Sequence, residues 1–271
     1  MSSVLSLKNV SAYYPSSATT LFGTGGWTQI LFEINFDLNP GEILSVVGES
    51  GSGKSTLGKS IIGLIPKVGG SFEFNSEEYQ PSVMNHLRKK IQIIFQDPYS
   101  SLNPRMTVSE TLNEVVEFYP NELNPDKRLS SLLDQTELPK DSVSKYPHEL
   151  SGGQRQRVCI ARSLAVEPDV LICDEIVSAL DVSVQAKILN LIKDLSNEKS
   201  IAVLFTTHDL HVVESFANNV LIMTKGRIVE SGNVKQVFKY PEHDYTQMLI
   251  HSVPNKKRLT ADEFLMPSSS S

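Results

Sequence analysis

The run Gly48-Glu49-Ser50-Gly51-Ser52-Gly53-Lys54-Ser55-Thr56 has the residue types and spacing to hold a nucleoside polyphosphate. Glycines let successive backbone N–H groups turn inward around a β-phosphate, and a helix opening at the end of the run adds a favourable field for the anion. Lys54 would reach the β- and γ-phosphates as a point charge, and the Ser55 hydroxyl would complete the shell of a Mg²⁺ ion. Much further along, Val170-Leu171-Ile172-Cys173 runs into two carboxylates, Asp174 and Glu175. At the end of a buried strand the first is placed to take Mg²⁺. The second, one residue on, is placed to act as general base on a water attacking the γ-phosphate. A Gly/Ser turn or a pair of acidic residues is ordinary by itself; together they call for ATP and Mg²⁺.

Such chemistry needs rigid elements behind it. Ile43 to Val47, Ile91 to Phe95, Val170 to Cys173, Ile201 to Thr206 and Val220 to Met223 are short aliphatic runs without period-2 alternation, the pattern of strands covered on both faces. They predict an α/β fold with a parallel sheet, and the phosphate-loop run sits between the first strand and a helical stretch, Leu57 to Leu64. Leu5 to Tyr14 and Ile30 to Leu38 alternate instead, which predicts an N-terminal antiparallel β subdomain of two strands around a long hairpin loop, Pro15 to Trp27. Pro40-Gly41 supplies a tight turn into the next strand. From Asp97 to Pro168 the strand signals vanish and prolines 104, 120, 125, 139 and 147 break helical text. A helical subdomain over about 97–167 is therefore expected inside a main domain of residues 1–240, followed by an extension over 241–259 and a frayed tail over 260–271.

Composition narrows the function classes. The balance of 25 Lys+Arg against 31 Asp+Glu gives −6, so attraction to nucleic acid phosphates is not built into the whole molecule. Cys159 and Cys173, each among aliphatic residues, fit neither a disulfide framework nor a zinc site and are expected to be buried, reduced thiols of a cytoplasmic protein. No stretch approaches the roughly 20 apolar residues of a membrane span, and the first residues lack a signal-peptide pattern, so any membrane role is expected to be peripheral. His86, His148, His211, His243 and His251 form no metal-ligand pattern.

Leu150-Ser151-Gly152-Gly153-Gln154 precedes an amphipathic helix with Val158, Ala161 and Ala165 on one face and Arg155, Arg157 and Arg162 elsewhere. By itself this is a helix N-cap with a flexible entrance. With the two motifs above it resembles the signature of ATP-binding cassette (ABC) ATPases, and the resemblance runs from Leu5 to Pro254. It implies a P-loop NTPase core and further roles. Tyr14 would stack on adenine, with Tyr13 as the substitute, and Gln96 would be the glutamine that senses Mg²⁺ and the γ-phosphate. Ser178-Ala179-Leu180-Asp181 would form the D-loop, and His208 would hydrogen-bond the γ-phosphate and fix the water. In that family the signature loop faces the γ-phosphate bound to the opposite subunit, so Ser151 to Gln154 would serve a neighbour's nucleotide, and Asp181 of the D-loop would be nucleotide-binding.

The stretch Phe95-Gln96-Asp97-Pro98-Tyr99-Ser100-Ser101-Leu102-Asn103-Pro104-Arg105-Met106-Thr107-Val108 resembles more narrowly the ATPase subunits of bacterial dipeptide/oligopeptide (peptide/nickel) importers, in particular the F-type member of their D/F pair. Tyr146 to Leu150, Leu21 to Trp27, His243 to Gln247 and Val253-Pro254 agree. The resemblance implies a D-type second ATPase subunit, two permeases, a solute-binding protein acting indirectly, and a place on the cytoplasmic face of the bacterial membrane. Asp97 to Arg105 would receive a permease loop. Ile176 and Asp244 stand where such proteins usually carry prolines. No cysteine lies in the C-terminal extension, so no iron–sulfur cluster is expected there. An exporter subunit, and a soluble ABC ATPase acting on nucleic acid or ribosomes, are the alternatives.

Overall fold

The computed structural model describes residues 2–16, 26–83, 87–118 and 125–252. The hairpin residues Leu21 to Gly23, His86, Pro120, Val253-Pro254 and the tail lie outside them.

Every residue of the strand Ile43–Val47 is buried, which is why its sequence does not alternate. This strand, β3, lies in a six-stranded sheet with β6 (Ile91–Ile94), β7 (Val170–Asp174), β8 (Ala202–Thr207), β9 (Asn219–Thr224) and β10 (Arg227–Asn233), in the order β10-β9-β3-β8-β7-β6. All neighbours from β9 to β6 run parallel, and β10 closes the edge antiparallel to β9. The side chains of β7 and β8 split between two cores. Leu171, Cys173, Val203 and Phe205 join helices α5 (Gly152–Leu164) and α6 (Val182–Lys199), whereas Val170, Ile172, Ala202 and Leu204 face α1 (Lys54–Ile61) and a second sheet.

That second sheet is antiparallel and larger than expected. The two anticipated strands, β1 (Leu5–Pro15) and β2 (Trp27–Leu38), are joined by β4 (Lys67–Phe74) and β5 (Glu77–Tyr79) in the order β2-β1-β4-β5. Between Asp97 and Leu164 the described residues contain helices and turns: α2 (Pro98–Ser101), α3 (Val108–Phe118), α4 (Pro125–Gln135), two 3-10 turns and α5. Leu102 departs from the surface role expected of its segment, because it is 4% exposed inside the core that α3, α4 and α5 share. Arg157, expected off the apolar face of its helix, is nonetheless enclosed. It donates to the Thr136 carbonyl at 2.6 Å and pairs with Glu137.

A third apolar cluster covers the outer part of the parallel sheet. It gathers Val47, Val220 and Ile222 with α7 (Leu210–Phe216), α8 (Val234–Lys239) and α9 (Asp244–His251). Asp244 is the first residue of α9, and His243 its N-cap. An acidic residue at that position suits the helix dipole as well as proline suits the fixed φ there, so the exchange leaves the helix start intact. Cys159 and Cys173 are buried and free. Burial pushes the Cys159 thiol up to about 11 and the Cys173 thiol higher still, which keeps both protonated and unreactive near neutral pH. Among the described residues no helix is long and apolar enough to cross a membrane.

Candidate nucleotide-binding site

The loop Gly48 to Gly53 connects β3 to α1 at the carboxyl edge of the parallel sheet, the edge where open α/β sheets bind ligands. Gly53 is the N-cap of α1 with φ +109°, and a Cβ there would come within 2.9 Å of Leu31 and of Met223. Only glycine meets both conditions without strain. Lys54 opens the helix with its side chain buried, and its ammonium donates to the carbonyls of Gly48 at 2.8 Å and Glu49 at 3.0 Å. The loop is thus folded back on its own lysine. The Ser52 hydroxyl is buried and has no hydrogen-bond partner among the described residues, which leaves the loop with a polar group that an incoming oxygen would satisfy.

Three oxygens meet at the end of β7. Asp174 Oδ1 accepts from Ser55 Oγ and from Thr206 Oγ1, both at 2.8 Å. The same Thr206 hydroxyl accepts from the Glu175 N–H at 3.1 Å, so one buried side chain on β8 fixes both members of the carboxylate pair. Glu175 itself has φ +50°. That strained turn aims its carboxylate at Lys54 Nζ, 3.4 Å from Oε1, and at His208 Nδ1, 3.4 Å from Oε2. His208 follows β8 and is exposed on the open side. Lys54, Ser55, Asp174, Glu175 and His208 therefore converge, from three separate stretches of chain, on one spot. Thr206 belongs with them and was not among the residues picked out by sequence.

The remaining predicted residues fall into two other groups. Tyr14 shares the buried face of β1 with Val10 and Ala12, and Ala12 pairs with Leu31, the side chain against Gly53. Tyr13 points to the opposite face, where Lys67 lies 5.0 Å from its ring and 5.3 Å from that of Trp27. Of the two tyrosines, Tyr14 is the one on the loop's side of the sheet. Gln96 is exposed two residues beyond β6, and Asp97 after it caps α2, its carboxyl held below the usual range first by the Tyr99 amide.

Ser151 caps α5 in a reciprocal box with Gln154: its hydroxyl accepts from the Gln154 N–H at 3.2 Å and its own N–H donates to Gln154 Oε1 at 3.0 Å. Asp181 caps α6, with Ser183 and the Val184 amide lowering its pKa. These two helix starts touch, since Gly152 lies against Leu180 and Gly153 against Val184. No hydrogen bond or ion pair ties either to the Lys54–Glu175 group among the described residues. Among the described residues the chain thus carries a glycine-rich loop folded around Lys54 and, without a hydrogen bond to it, a capped α5 start whose Ser151 is exposed.

Residues 31–178 match the family model described as ABC transporter. The chain belongs to the ABC transporter family. It is 43% identical over 256 residues to the glutathione import ATP-binding protein GsiA of Pectobacterium atrosepticum, and 43% over 258 residues to the protein of that name from Escherichia coli strain K12. Each match takes in 93% of this chain but only 41% of the relative, so the chain spans less than half the length of either. Among solved structures, cbiO1 of Clostridium perfringens, part of the cbiONQ transporter complex, superposes with a TM-score of 0.75 at 30% identity over 89% of this chain and 92% of that one. The dimeric ATP-binding cassette MJ0796 bound to ADP and Pi gives 0.73 at 29% identity, over 85% and 98%. This member of the ABC transporter family thus has the mixed α/β fold of its structural neighbours, as expected from its residues.

Proposed function

We propose that this cassette hydrolyses Mg·ATP to drive import of peptides or related small solutes across a bacterial cytoplasmic membrane. The observation that carries the ATPase reading is the convergence of Lys54, Glu175 and His208 beside the Ser55–Asp174–Thr206 oxygens. The Ser55 and Asp174 oxygens are the hard donors that Mg²⁺ prefers, and the ion would neutralise charge on the β- and γ-phosphates. With ATP present, Lys54 exchanges the Gly48 and Glu49 carbonyls for phosphate oxygens, Ser52 gains its missing partner, and Tyr14 covers the base. Leaving Lys54 frees Glu175 to accept a proton from the attacking water, while His208 holds the γ-phosphate side and Gln96 reports its presence. Ser151 to Gln154 and Asp181, which no hydrogen bond or ion pair ties to their own chain's Lys54–Glu175 group among the described residues, serve the nucleotide of a second ATPase subunit.

Import of peptide-like solutes is supported by the names of the relatives and by the segment after Gln96. That segment is fastened to the signature helix: Arg162 donates to the Ser101 carbonyl at 2.5 Å, and Arg155 sits 5.7 Å from the centre of the half-exposed Tyr99 ring. A permease loop resting on Tyr99 would therefore follow α5 as the two subunits close on ATP. The partners proposed are a D-type ATPase subunit, two permeases on the cytoplasmic face and, through them, a solute-binding protein; nucleic acid is not among them.

Phosphate release by the chain with its partner subunit tests the reading. Glu175→Gln should lower turnover by about 10² to 10⁴ with ATP binding retained, and near-normal hydrolysis would move the base elsewhere. Vesicles holding the assembled transporter should accumulate glutathione or short peptides only with ATP, and export of the same solutes would reverse the direction.

A further inference from the structure

The phosphate loop is held from outside as well as from within. The Tyr245 hydroxyl, in the first turn of α9, accepts a hydrogen bond from the Glu49 N–H at 3.2 Å, across 196 residues of sequence. That N–H belongs to the same peptide unit as the Gly48 carbonyl, to which Lys54 donates at 2.8 Å. A trans peptide is one rigid plane with its N–H and C=O on opposite sides. Whatever grips the N–H therefore sets the direction in which the carbonyl holds the lysine.

The helix that carries Tyr245 is anchored independently. Glu230 of β10 accepts from the Glu242 N–H and the His243 N–H, each at 3.0 Å, one on each carboxylate oxygen. His243 then caps α9 by accepting from the Tyr245 N–H at 3.1 Å. Tyr245, Leu249 and Ile250 pack on the cluster that contains Val47, the residue before the loop, and Leu210 and Val213 of α7, the helix that follows His208. Apart from Val47, all of these residues lie beyond residues 31–178, the part that matches the family model.

We propose that Tyr245 is a positioning residue for the phosphate loop, fixing the Gly48–Glu49 peptide plane so that the segment after β10 sets the affinity of this cassette for ATP. The proposal rests on reading the loop as an ATP site, and it makes the C-terminal segment a place from which a permease or partner subunit could adjust nucleotide binding.

The test uses the full chain, a titration with a fluorescent ATP analogue in the presence of Mg²⁺, and steady-state hydrolysis. Tyr245→Phe keeps the ring and its packing but removes the acceptor. It should raise Kd and KM for ATP by about 2- to 12-fold, the worth of one net hydrogen bond, with kcat and melting temperature nearly unchanged. Glu230→Gln, which can no longer accept both amides, should shift Kd in the same direction. Unchanged Kd and KM in Tyr245→Phe would overturn the proposal, as would a loss of affinity matched by falls in kcat and melting temperature, the mark of general loosening. Failure of the wild-type chain to bind Mg·ATP would instead refute the ATP reading and the proposal together.

Discussion

Thr206 shows how much the site depends on one hydroxyl. It donates to Asp174 and accepts from the Glu175 N–H, and it is fully buried. Thr206→Val keeps the shape but leaves a buried carboxylate oxygen one donor short, so unfolding free energy should fall by about 1–3 kcal/mol, and more Mg²⁺ should be needed for half-maximal hydrolysis. Thr206→Ser should restore both, as denaturant titration and a Mg²⁺ dependence would show. The loop and the carboxylate pair were legible because their types and spacing are the chemistry itself. Thr206 was not: it ends an aliphatic run as one of two threonines, a polar intrusion that reads simply as strand. Tyr245 was legible only as part of a family-like stretch, since nothing local announces a contact with a loop 196 residues away.

Elements were readable where burial left a strong pattern. The five parallel strands stood out because both faces are covered, and β1 and β2 because only one is. β4 was hidden by Gly69 and Gly70 and by its mixed exposure, β5 by its three residues, and β10 by an edge position with no fully buried residue. The segment after Gln96 was read as surface throughout, yet Leu102 is core while Tyr99 is 53% exposed. The two positions should therefore behave oppositely. Leu102→Glu places an unpaired charge among α3, α4 and α5 and should cost at least the roughly 2–5 kcal/mol of a core Leu truncation, visible as a fall in melting temperature. Tyr99→Glu should leave the melt and ATP binding of the isolated chain nearly unchanged and weaken co-purification with the permeases. Stable assembly and normal uptake in Tyr99→Glu would place the permease contact elsewhere.

In the proposed function the molecule as a whole presents half of each ATP site. Its cradle and its capped α5 N-terminus share no hydrogen bond among the described residues, and a Cβ on Gly153 would lie 2.5 Å from Val184. The signature loop therefore rests against the start of α6. Ser151→Arg should leave ATP binding by the isolated chain intact and abolish hydrolysis in the assembled pair. Weakened binding in the isolated chain would show that the site is not shared.

The proposed function depends on the loop from Gly48 to Thr56 holding ATP, and a calorimetric titration of the purified chain with Mg·ATP tests that most directly. Lys54 is the buried cation of this loop, bonded to the Gly48 and Glu49 carbonyls and 3.4 Å from Glu175. The wild-type chain should bind one ATP, and Lys54→Ala, verified as folded by its melting transition, should lose most of that affinity. Equal affinity in the two proteins, or no binding by the wild type, would contradict the account.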